Sequence, residues 1–156
     1  MPGHVDRRQR RRGEFRQARY AIYFVKVPKL IVSRDKGNSQ VHRAHNKGGK
    51  PVTQYKIDGE VITEGNRCDY ALFTEEEGNK QAFLIELKGS DLTMAAMQIE
   101  ATEKVLKNAL MGYSMNYRIV ANKCKTQEIH HSSFQKYKLK WKKKLKYKTG
   151  EMDEDI

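Results

Sequence analysis

Residues Cys68–Lys88 read CDYALFTEEEGNKQAFLIELK, two short apolar runs about a polar centre. Both runs carry the aromatic and branched residues that strands favour, and Thr74–Gln81 between them is polar around Gly78. The stretch predicts a β-hairpin. With a period of two, Ala82, Leu84, Glu86 and Lys88 share one face of the second strand, and Asp69, Ala71 and Phe73 share one face of the first. A symmetric loop pairs Phe73 with Ala82, which brings Asp69 opposite Glu86. Carboxylates facing each other at roughly 5 Å destabilise a sheet. A divalent cation between them reverses the sign of that cost. Mg²⁺ suits the position, because it takes hard oxygen ligands, usually one or two carboxylates with water and phosphate. Mn²⁺ is the expected substitute. Lys88 lies one step further on the same face, where it would stabilise charge on a phosphate or help deprotonate an attacking water. A slip of one residue would put the two acids on opposite faces.

Outward from the hairpin, Asp91–Met111 predicts a helix, with Asp91 as N-cap and Gly112 just past its end. Leu92, Ala95, Ile99, Thr102, Leu106 and Ala109 recur at helical spacing. Tyr117–Asn122 predicts a strand. Ser132–Lys144 predicts a second helix, with Phe134, Tyr137 and Trp141 on its inner side, and Leu145–Lys148 a closing strand. The acidic tail from Gly150 is expected to be loose. Upstream, Thr53–Ile57 and Glu60–Thr63 read as a hairpin about Asp58-Gly59. Ser33–Lys50 is polar and aperiodic, and reads as a long loop. Pro28 divides the apolar run Tyr20–Val32 into an edge strand or two short pieces. The expected fold is α/β, a mixed central sheet flanked by helices. One domain spans residues 20–150, between a basic arm (1–19) and an acidic tail (151–156).

The chain of 156 residues is long enough to bury a core without disulfides or structural zinc. Lys and Arg number 31 against 19 acids, a net charge of +12. That balance calls for a polyanionic partner, nucleic acid first and an anionic membrane surface second. No apolar run approaches the roughly 18 residues of a membrane span. Cys68 and Cys124 stand far apart and outside any CxxC pair, which suits a reducing, cytoplasmic compartment, or the nucleoid or nucleus. Arg7, Arg8, Arg10, Arg11 and Arg12 are expected to bind phosphates, as are Lys138, Lys142, Lys143 and Lys144 of a lysine-rich block in which Tyr137, Trp141 and Tyr147 are interleaved. His42, His45, His130 and His131 lack metal-ligand spacing, and no elbow turn supports a triad at Ser132 or Ser133.

The run RCDYALF, then AFLIELKGSDL, then QIEAT resembles the PD-(D/E)xK nuclease superfamily over roughly residues 56–148, with Cys68 where the name-giving proline would stand. More narrowly it is similar to small microbial and viral members. The resemblance implies a restriction-endonuclease-like core and a Mg²⁺-dependent deoxyribonuclease. It implies metal ligation by Asp69, Glu86 and the Leu87 carbonyl, and catalytic roles for Lys88 and Gln98. An earlier acid is left open among Glu64, Glu60 and Glu14. DNA is the implied substrate, branched and single-stranded forms included, and a homodimer is left open by analogy. The alternative is a non-catalytic nucleic-acid-binding protein that uses the Arg-rich arm and the Lys-rich C-terminal segment.

Overall fold

The structure is a computed structural model that describes residues 27–156, with backbone alone at 21–22 and 88–89. The arginine arm, including Arg7, Arg8, Arg10, Arg11, Arg12 and the candidate Glu14, and the Lys88 side chain lie outside the described residues.

The central hairpin forms with the expected register. β5 (Tyr70–Glu76) pairs antiparallel with β6 (Asn79–Gly89), and Phe73 faces Ala82. The turn is tighter than the sequence suggests, only Glu77 and Gly78 remaining outside the strands. Gly78 supplies the positive φ that such a turn needs. β5 also pairs antiparallel with β4 (Val52–Lys56), whose far edge carries β1 (Ala21–Ile22). On its other side β6 runs parallel to β7 (Ser114–Ala121), and β7 parallel to β8 (Leu145–Thr149). The result is a mixed six-stranded sheet in the order β1-β4-β5-β6-β7-β8.

Helices cover one face. α1 (Leu92–Val105) is capped by Asp91, whose side chain accepts from Met94 N at 3.0 Å. It stops earlier than the spacing predicts, because Leu106 leaves helical geometry and turns carry the chain to Gly112. Its buried stripe of Leu92, Ala95, Ala96 and Ile99 meets Ala71, Phe73, Ala82 and Leu84 of the sheet. A short α2 (Thr126–His130) precedes α3 (Ser132–Trp141). The aromatics of α3 enter the core: Phe134 and Trp141 are buried, and Trp141 stacks on Tyr117 at 4.2 Å.

The other face is covered by a second sheet that the sequence reading did not contain. It comprises β2 (Leu30–Ser33), β3 (Val41–His45) and β9 (Glu151–Asp155), with β2–β3 antiparallel and β3–β9 parallel. The expected loop Ser33–Lys50 thus holds a strand, and the expected loose tail is one. Residues 60–63 form no strand either, but turns that close on Ile57, with Ile62 N donating to Ile57 O at 3.0 Å. Ile31, Ala44 and Met152 of the small sheet pack on Leu72, Phe83, Ile85, Leu87 and Val120 of the large one.

A charge cluster centred on the buried Glu154 joins the two sheets. Arg118 of β7 donates to Glu154 of β9 at 2.6 Å, Lys146 of β8 donates to its other oxygen at 3.0 Å, and His42 Nε2 lies 2.8 Å away. Burial alone would raise the Glu154 pKa. His42 and Arg118 outweigh it and hold that carboxyl well below the usual range.

Candidate functional site

β4, β6, β7 and β8 all run one way, so their C-terminal ends lie together, with the start of β5 between them. Asp69 and Glu86 meet at this end. Both are buried, at 3% and 2% exposure. The ladder stops at Tyr70 opposite Ile85, one residue short of Asp69. There the chain bends: Asp69 N donates to Ile85 O at 3.0 Å, and the Asp69 Oδ2 accepts from Leu87 N at 2.7 Å. Asp69 therefore engages β6 through its carboxylate beside Glu86, instead of extending the ladder. The bend also breaks the alternation, since Cys68 packs on the helix side with Ala71.

β6 is irregular at the same place. Glu86 aligns with Ile119, but Gly89 aligns with Ala121, so one extra residue is accommodated between them. Bulges of this kind re-aim side chains and are common beside active sites. α1 supports the bend from above: Cys68 N donates to Thr102 Oγ1 at 2.8 Å, and Thr102 donates to Gln98 O at 2.9 Å. Gln98 itself is partly exposed, one turn before Thr102 on the same side of α1. Burial first, and then the charges of Glu86 and Asp69, push the Cys68 thiol up to about 12. That thiol is protonated and inert at neutral pH.

Among the described residues no three His, Cys, Asp or Glu side chains converge as a metal site. Two carboxylates do fit Mg²⁺, which commonly takes one or two and completes its shell with water and substrate phosphate. The fit rests on the oxygen chemistry of the pair and on their burial side by side at the end of β6. Of the candidate earlier acids, Glu60 is partly buried and its charge reaches the Tyr70 hydroxyl, whereas Glu64 is exposed.

The lysines divide by position. Leu145 aligns with Tyr117 and thus with Leu84, so the turn Lys142–Lys144 before it lies away from the Glu86 row. Lys138, on α3, sits 6.0 Å over the Tyr147 ring. None of these four is brought to the carboxylates. The site end instead carries residues the sequence reading passed over. Tyr70 OH donates to Arg34 O at 2.8 Å, and Asp35 pairs with Lys56 at 3.5 Å, which fixes the 34–40 loop beside Asp69. Residues 122–125 leave β7 next to Gly89. The signal for both loops was positional, since each follows a strand ending on the site side, and only the topology reveals it. Among the described residues no helix is long and apolar enough to cross a membrane.

Compared with family models, with curated proteins and with solved structures, the chain finds no match.

Proposed function

We propose that the protein is a divalent-metal-dependent endonuclease that hydrolyses DNA phosphodiester bonds. The observation that carries this reading is the pair of buried carboxylates, Asp69 and Glu86, at one end of a strongly basic protein's central sheet. Asp69, Glu86 and the Leu87 carbonyl would hold the ion. When bound, the ion supplies Lewis-acid charge to the phosphoryl oxygens and acidifies water for in-line attack. The Leu87 N–H fixes the Asp69 carboxylate, and Thr102 fixes the bend that presents it. Lys88 is assigned to polarise the attacking water, and Gln98 to help position it from α1. Glu60 is assigned as the earlier acid. The restriction-endonuclease-like core belongs to the same proposal. It is supported by the order of meander, helix and parallel strand. So does action as a homodimer, since cutting two strands takes two sites. Both cysteines are free, in keeping with a reducing, cytoplasmic setting.

The test incubates the protein and its Asp69→Asn, Glu86→Gln and Lys88→Ala variants with plasmid, a branched junction and single strands, in Mg²⁺, Mn²⁺ or EDTA. Cleavage in either metal, lost in EDTA and in the variants, is the expected outcome. Cleavage that survives the carboxylate substitutions would sink the assignment. A second reading, a binding protein without catalysis, is favoured by one observation: several lysines at the same end have no acidic partner. It requires DNA binding that ignores EDTA, with no cleavage under any condition.

A further inference from the structure

Part of the positive charge among the described residues is neutralised locally. Lys50 and Lys80 pair with Glu76 and Glu75, Lys140 and Lys104 with Glu100, Lys146 with Glu154, Lys47 with Asp155 and Arg67 with Asp58. Lys36, Lys123 and Lys125 are exposed, and among the described residues none of the three makes an ion pair. Lys142, Lys143 and Lys144 make no ion pair among the described residues either, and Lys36, Lys123 and Lys125 are set apart from them by position.

Their placement is not scattered. Lys36 lies in the loop between β2 and β3, in a turn closed by Asn38 N donating to Asp35 O at 3.1 Å. That loop reaches the site end through the Tyr70–Arg34 hydrogen bond, one residue from Asp69. Lys123 and Lys125 lie in the segment that follows β7, whose last residue faces Gly89 of β6. The two loops are tied to each other, because Gln40 Nε2 donates to Asn122 Oδ1 and also to Ser39 Oγ at 2.9 Å. Two chain segments far apart in sequence thus form one anchored support, with three unpaired lysines, at the end of the sheet that holds the buried carboxylates.

We infer that Lys36, Lys123 and Lys125 form the platform on which the DNA phosphate backbone lies as it passes Asp69 and Glu86. This rests on, and deepens, the nuclease reading. It replaces the Lys142–Lys144 turn as the main phosphate contact near the site. A backbone carries a negative charge at every nucleotide and rewards cations held in a row, whereas a cation already paired with an acid gains little from it. The platform sits on the layer of the small sheet and at the end of β7, so the strand passes over the C-terminal ends of the parallel strands. Open α/β sheets place their ligands there for the same topological reason.

Binding of the full chain to a fluorescent DNA duplex is measured in EDTA across a salt series, which separates binding from cleavage. Three proteins are compared: wild type, the triple variant K36A/K123A/K125A, and the triple variant K142A/K143A/K144A. Circular dichroism and a thermal melt verify folding. Each phosphate contact contributes roughly 0.9 to the slope of log K against log salt. The first variant is expected to lose roughly two to three units of slope and the second less than one. Equal losses, a larger loss in the second variant, or no change in the first would overturn the inference. Wild-type binding with this pattern but no cleavage in Mg²⁺ or Mn²⁺ would remove the nuclease reading and leave the platform standing. Metal-dependent cleavage with an unaltered slope in the first variant would do the reverse.

Discussion

The two ends of the six-stranded sheet are built from the same residue types and differ in how charge is handled. At the end where β5 turns into β6, acids and bases answer each other. Glu75 accepts from the Tyr113 hydroxyl and pairs with Lys80 at 3.3 Å, while Glu76 accepts from Asn79 at 3.1 Å and pairs with Lys50 at 3.4 Å. These are exposed or half-exposed pairs of the kind worth a few tenths of a kcal/mol. At the opposite end Asp69 and Glu86 are buried, Lys56 pairs with Asp35 and Arg67 with Asp58, and Lys36, Lys123 and Lys125 of the adjoining loops are exposed without an ion pair among the described residues. One end satisfies its charges internally. The other leaves three loop lysines without an acidic partner, open to a polyanion. Charge count alone does not distinguish the ends; the partition of partners does.

That contrast can be broken most directly at the carboxylates. Glu86→Gln should lower cleavage by more than about a hundredfold. It should also abolish a metal-dependent rise in the melting temperature. For wild type with metal at 100 times Kd, that rise corresponds to about 2.7 kcal/mol, or roughly 5–10 °C for a chain of this size. A wild-type melt indifferent to Mg²⁺ and Mn²⁺ would make the site end as self-sufficient as the turn end.

The platform loop depends on the small sheet staying docked, and Glu154 tests that. Glu154→Gln leaves Arg118 buried without its counter-charge and should cost about 3 kcal/mol by urea unfolding at pH 7. The folded pKa of Glu154 lies below its unfolded value. Its contribution is therefore fully present above the ordinary Glu pKa of about 4.3 and is lost as pH falls below it. The gap between variant and wild type should narrow below about pH 4. A constant gap down to pH 2 would contradict the ion cluster.

Thr102→Val removes the acceptor for the buried Cys68 N–H and should cost about 2 kcal/mol. It should also reduce cleavage, because the Asp69 bend loses its support; destabilisation with full activity would detach α1 from the site. Lys142 is the one described non-glycine residue with a positive φ, at 47°. Lys142→Gly should therefore stabilise by about 1 kcal/mol, raising the melting point by a few degrees, with little change in DNA affinity. The smallest effect belongs to the turn end. Lys50→Ala with Lys80→Ala should cost under about 1 kcal/mol and leave DNA affinity unchanged. A marked loss of affinity would erase the distinction between the ends.

The hairpin, α1, β7, α3 and β8 were legible because each carries its own pattern of apolar residues and its own punctuation. The Phe73–Ala82 register followed from a symmetric loop, and the meeting of Asp69 with the Glu86–Leu87 stretch followed from the register. The bend at Asp69 did not, since it depends on Thr102 from a helix thirty-odd residues later. The small sheet was hidden for another reason. β3 reads VHRAH and β9 reads EMDED, and their inward positions include His42 and Glu154. A strand whose inner face bears charge looks like a loop until the distant partners, Arg118 and Lys146, are in place. The loops carrying Lys36 and Lys123 were invisible as a pair for the same reason, since only the assembled layers make them neighbours.

β3 and β9 also impose an order in time. His42 and Glu154 stand 112 residues apart, which corresponds to on the order of ten seconds of ribosomal synthesis. Until Glu154 emerges, β2 and β3 lack the third strand of their sheet, and the 34–40 loop is held by Tyr70, Lys56 and Asn122. The carboxylates can be assembled before that moment, whereas the small sheet under the platform closes only with β9. A nascent chain halted before residue 151 would hold Asp69 and Glu86 together and lack the strand that completes the small sheet, so that sheet is the last part of the fold to close.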